Sequence, residues 1–172
     1  MKRALLFTLV LSMLTGAAFA EGGHGGPGGP GPGDHGFGGP AIIGSDGTVY
    51  VTKASATKGS VDVVAIRSTG ATAWTATIAK GGRLSLSNGN LITVADTKNT
   101  DGSFTSVITA YSAATGTQAW TLTQSGRVDP EGSFAGGTYF NVIVPPATQG
   151  GTPTRSLIAV SNSGVLLWSV SL

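Results

Sequence analysis

An all-β fold of three repeated four-stranded units is what this sequence predicts, on three observations. A small residue and glycine, followed at fixed distance by tryptophan, recur as Thr69-Gly70…Trp74, Thr115-Gly116…Trp120 and Ser163-Gly164…Trp168. These are the chain's three tryptophans, 46 and 48 positions apart, and a fixed period of that size marks a repeat architecture. The apolar residues between them come in short β-branched runs with no sustained helical period, which favours strands over helices. Gly, Asn, Asp and Ser separate the runs, and each of these residues has a physical reason to sit in a turn.

Taken in order, the chain opens with Lys2-Arg3, an apolar run from Ala4 to Leu11, and the small-x-small triplet Ala18-Phe19-Ala20. That is the pattern of a secretory signal peptide over residues 1–20, cut after Ala20. The apolar run is shorter than the roughly 20 residues a membrane span needs. Ten basic residues face eight acidic ones, and two of the ten are Lys2 and Arg3. Cleavage therefore leaves eight of each and a formal net charge of zero. No basic cluster remains, so neither nucleic acid nor an anionic membrane is an expected partner.

Residues 21–40 are almost wholly Gly and Pro around His24, His35 and one apolar side chain, Phe37. Such a segment cannot offset its ordering entropy and is expected to be a disordered linker. Two imidazoles on it would make only a weak metal site. The folded part is expected over residues 41–172. The chain has no cysteine, which removes disulfides, thiolate catalysis and the lipidated cysteine of a bacterial lipoprotein. Secretion without disulfides suits a bacterial export product, periplasmic or extracellular and not lipid-anchored.

The repeats are placed at about 41–80, 81–126 and 127–172. In the first, Ala41-Ile42-Ile43 leads through Gly44-Ser45-Asp46-Gly47 to Thr48–Thr52, then Val61–Arg67 and Thr72–Ile78 with Trp74. In the second, Arg83–Ser87 turns at Asn88-Gly89 into Leu91–Ala95, followed by Thr105–Tyr111 and Thr117–Thr123 with Trp120. In the third, Ser133-Phe134 precedes Gly136-Gly137, then come Thr138–Val144, Ser156–Ser161 and Val165–Leu172 with Trp168. The total is about twelve antiparallel strands.

An alanine-bearing apolar strand followed by polar-Thr-Gly-x-x-x-Trp, with Asp46-Gly47-Thr48-Val49-Tyr50-Val51 upstream of the first copy, resembles the repeat of the PQQ-like β-propellers. That family includes quinoprotein dehydrogenases and BamB-type outer-membrane assembly proteins. The resemblance implies three four-stranded blades, with Gly70, Gly116 and Gly164 in left-handed turns and Trp74, Trp120 and Trp168 as wedges between blades. The dehydrogenases' quinone site calls for a tryptophan stack, a cysteine pair and a carboxylate-bound calcium. This chain has no cysteine and no glutamate besides Glu21 and Glu131, so no cofactor residue carries over and no cofactor is expected. Propellers close with about 4–8 blades. Three blades therefore imply a partner protein or a second copy of the chain that completes the ring. The structural alternative is another threefold fold, a β-trefoil or β-prism. Gln118-Ala119-Trp120 is faintly like the Gln-x-Trp of trefoil lectins, and a carbohydrate-binding module, with sugar sites at Asn99–Gly102 and Thr148–Thr152, is the functional alternative.

The chemistry-bearing residues point away from catalysis. Both histidines lie in the linker, which leaves serine nucleophiles in residues 41–172 without an imidazole base. Asp46, Asp62, Asp96, Asp101, Asp129 and Glu131 are scattered, mostly at turns. Asp96, Asn99, Asp101 and Gly102 do not have calcium-loop spacing. Gly81-Gly82-Arg83 and Gly136-Gly137 precede no helix that could bind phosphate. The sequence thus predicts a secreted, non-catalytic scaffold or protein-interaction module.

Overall fold

The computed structural model describes residues 41–79, 84–146 and 150–172. The predicted signal peptide, the linker with His24 and His35, Gly81-Gly82-Arg83 and part of the Thr148–Thr152 loop lie outside the described residues. Among the described residues every regular element is a strand. The first sheet holds β1 (Ile42–Ile43), β2 (Val49–Ala54), β3 (Ser60–Ile66) and β4 (Thr72–Ala79). The second holds β5 (Ser85–Ser87), β6 (Asn90–Lys98), β7 (Phe104–Ser112) and β8 (Gln118–Ser125). The third holds β9 (Arg127–Phe134), β10 (Gly137–Val144), β11 (Thr154–Ser161) and β12 (Leu166–Ser171). Each sheet is antiparallel and pairs its strands in chain order. No strand is exchanged between these sheets, whereas a trefoil's common barrel draws strands from all three units.

Turn chemistry fixes the hairpins. Asn88 (φ 47°) and Gly89 (φ 76°) are both left-handed, as the tight type I′ connection between β5 and β6 requires. The connection from β1 to β2 is longer: Gly47 N donates to Gly44 O at 3.0 Å and Gly44 N to Thr48 O at 2.8 Å, with Gly47 at φ 78°.

Register repeats from sheet to sheet. Tyr50, Ile92 and Tyr139 stand opposite Ala65, Ala110 and Ala159, and these alanines stand opposite Trp74, Trp120 and Trp168. Immediately after each alanine the register slips by one residue. Such a bulge bends the strand and increases its twist. All three alanines are fully buried; a methyl group is what fits beneath an indole on the neighbouring strand.

β9 departs from the sequence expectation, which placed only Ser133-Phe134 in a strand before Gly136-Gly137. The observed strand runs back to Arg127 and includes Pro130 and Gly132. It is an edge strand, where a residue without an N–H is tolerated, and its register slips between Tyr139 and Phe140.

Two apolar cores join the sheets in sequence. The first takes Tyr50, Val61, Val63, Ala65 and Ile78 from the first sheet and Leu91 and Ala113 from the second repeat. The second takes Ile92, Val94, Ile108, Ala110 and Trp120 from the second sheet and Val128, Phe140, Val142, Ile158 and Val160 from the third. Leu91 and Ile92 are neighbours in β6 yet belong to different cores, because successive strand residues point to opposite faces. The second sheet is accordingly covered on both faces.

Candidate interaction surface

The predicted motif residues meet across sheets rather than within a repeat. Trp74 of β4 lies over the β7–β8 turn of the next sheet, where its Nε1–H donates to Ala113 O at 3.0 Å. Tyr50 donates its hydroxyl to the same carbonyl at 3.2 Å, and its ring lies 5.9 Å from that of Trp74 at an interplanar angle of 40°. Gly116 is buried under the indole. A Cβ there would stand 2.6 Å from Trp74 Cε3, and the residue's φ is 74°. Burial raises the Tyr50 pKa, with the Asp46 charge adding to the effect.

The second joint repeats the first. Trp120, 9% exposed, donates its Nε1–H to Asn162 O at 2.9 Å. A Cβ on Gly164 would fall 2.8 Å from the same indole. Asn88 adds a tie between the sheets, its Nδ2 donating to Phe134 O at 2.6 Å and Gly137 O at 2.9 Å. Ser87 and Thr138 share a buried hydroxyl hydrogen bond of 2.6 Å.

At the ends of the array the same parts stand apart. Trp168 is 42% exposed, Val170 52% and Leu172 75%; alternation puts Trp168 and Val170 on one face of β12, and Leu172 follows directly after the strand. Tyr139 lies beside them, 5.7 Å from the Trp168 ring at 42° and 4.7 Å from Phe134. At the other end Gly70 (φ 82°) has no atom within 4 Å of where its Cβ would be. The structure thus brings together Trp74 with Gly116 and Trp120 with Gly164, and leaves Gly70 and Trp168 without counterparts among the described residues.

Sequence reasoning missed Tyr50 and Tyr139. A tyrosine opposite the motif alanine was the available signal. It was hidden because the loops between β2 and β3 and between β10 and β11 differ in length.

Four of the aspartates are engaged in local structure. Asp46 accepts from Thr48 N at 3.0 Å and Thr48 Oγ1 at 2.9 Å, the backbone bond first among the causes that hold its carboxyl below the usual range. Asp101 accepts from Ser103 Oγ at 2.6 Å and Ser103 N at 2.9 Å, with the same effect, led by the hydroxyl. Asp62 is held low chiefly by Thr77, whose Oγ1 donates at 2.7 Å. Asp96 accepts from Ser106 Oγ at 2.6 Å and lies 3.5 Å from Arg127 Nε. Glu131 lines a cleft of about 170 Å³ with Ser85, Ser87, Ser133 and Thr138, one carboxylate among hydroxyls. Among the described residues no three His, Cys, Asp or Glu side chains group as metal ligands would. Neither a protein-family model nor a curated protein matches the chain.

Proposed function

We propose that this chain is an exported, non-catalytic scaffold or protein-interaction module of the PQQ-like propeller kind, working through its uncovered sheet faces. One observation carries the reading. The third sheet ends in a contiguous apolar face, Trp168, Val170 and Leu172 flanked by Tyr139, and large apolar patches of that kind mark interaction sites. The pattern Lys2-Arg3, apolar run, Ala18-Phe19-Ala20 supports export. The engagement of Asp46, Asp62, Asp96 and Asp101 in turn and cross-strand hydrogen bonds supports a role in which carboxylates are structural.

A photo-crosslinking residue at Leu172 of the exported protein tests this. The expected result is a covalent adduct with a second polypeptide, absent when the probe sits at exposed Thr121 in the covered middle sheet. Failure to form any adduct at Leu172, together with glycan binding that survives W168A, would replace the reading with a carbohydrate-binding one.

A further inference from the structure

We infer that the partner of the terminal face is a second copy of this chain, engaged head to tail, with Trp168 of one copy seated over Gly70 of the other. The inference rests on the interaction-module reading above and names its occupant.

Both halves of the joint are present on each chain. On the donor side, Tyr139 and Trp168 hold the register positions of Tyr50 and Trp74, each pair flanking a buried alanine. Their ring geometry is the same within narrow limits, 5.7 Å and 42° against 5.9 Å and 40°. At the filled joint that pair donates two hydrogen bonds to one carbonyl. At the chain's end it faces solvent, and among the described residues the Trp168 indole N–H has no partner.

On the acceptor side, the Arg67–Ala71 turn matches the turn that receives Trp120. Arg67 N donates to Ala71 O at 2.9 Å and Gly70 N to Arg67 O at 2.8 Å. In the occupied turn Ser161 N donates to Val165 O at 2.8 Å and Gly164 N to Ser161 O at 3.0 Å. Gly70 and Gly164 have nearly equal φ, 82° and 83°. Asn162, whose carbonyl takes the Trp120 bond, stands two residues before Gly164, and Ser68 stands two before Gly70. The Ser68 carbonyl accepts no hydrogen bond among the described residues, and the space over Gly70 is open.

A joint between copies that repeats the internal ones adds three sheets per copy to the same arc. Two copies give six sheets, within the roughly 4–8 blades at which propellers close, whereas three would give nine. Closure by two joints at once also raises the pair's stability beyond that of either joint alone. Each joint sets one patch of the chain against a different patch of its copy, and the two joints of the closed pair are related by a two-fold axis.

Light scattering on the purified exported protein tests this with two variants. W168A removes the wedge. G70N fills the acceptor with a side chain that tolerates positive φ, at a position where an added Cβ meets nothing within 4 Å in its own chain. The wild type is expected at twice the chain mass, and each variant at the single-chain mass with unchanged strand content by circular dichroism. An equimolar mixture of the variants retains one intact joint and is expected to form mixed pairs, at a concentration about 10²–10⁴ times higher than the wild type needs. A wild type that stays single-chain overturns the inference. So does a G70N variant that still pairs, since two Trp168 faces would then be meeting back to back, and so does a mixture that fails to associate. The Leu172 probe separates the two readings: an adduct with a different polypeptide and a single-chain wild type defeats this inference alone, whereas no adduct at all defeats the interaction module as well.

Discussion

At the scale of single residues, an indole needs a neighbour with no side chain, and the chain supplies one at each internal joint. Gly116 combines a positive φ with an indole where its Cβ would be, so G116A adds a steric conflict to backbone strain. Gly102 has a similar φ, 86°, and nothing within 4 Å. Urea denaturation should therefore show G116A less stable than G102A by about 1–3 kcal/mol, the usual cost of overpacking. Loss of the joint's hydrogen bonds is a separate term. Y50F removes the hydroxyl but leaves the Ala113 carbonyl bonded to Trp74, and should cost about 1 kcal/mol in the same measurement.

At the scale of strands and turns, aspartates held in turn and cross-strand hydrogen bonds give the molecule a sign of pH dependence. Asp46, Asp62 and Asp101 have folded-state pKa values below their ordinary ones. A depressed carboxyl contributes stability that is present above its unfolded pKa and lost as pH falls through the folded value. Thermal unfolding should thus be insensitive to these groups near neutral pH and lose their contribution below roughly pH 4. D46N and D101N should flatten the acid limb, which a pH series of melting temperatures checks. Most elements at this scale were legible in the sequence, because β-branched runs and turn residues are local signals. β9 was legible only at Ser133-Phe134: Pro and Gly are ordinarily disfavoured inside strands, and the edge position that tolerates Pro130 and Gly132 is a tertiary fact. The left-handed glycines of the Thr-Gly and Ser-Gly turns were readable for the same local reason. That Trp74 reaches forward to Gly116, past its own Gly70, was not, since periodicity carries no record of which sheet covers which.

At the scale of the whole molecule, the three sheets among the described residues contact one another in chain order, and of these the middle one alone has both faces covered by its neighbours. Stability in such arrays is a sum of unit and neighbour terms. Amide hydrogen exchange should accordingly be slowest in β6 and β7 and fastest in β12 and β1, with β12 slowing as protein concentration rises if copies pair. Export gives a further expectation. The intact mass of the secreted protein should correspond to a chain beginning at Glu21; an unprocessed Met1 would remove the case for a cleaved leader.

The forward reach of each tryptophan gives the molecule a polarity, like a row of hooks and eyes. Every internal joint uses a donor from the earlier repeat and an acceptor turn from the later one. Another repeat of the same design added after Leu172 would find Trp168 waiting, and would present a fresh tryptophan in its turn, with no change to the joints already made. The chain is thus extensible by tandem duplication. Removing its last repeat would instead uncover Trp120 together with Ile92, Val94 and Ile108, the second sheet's half of the second core.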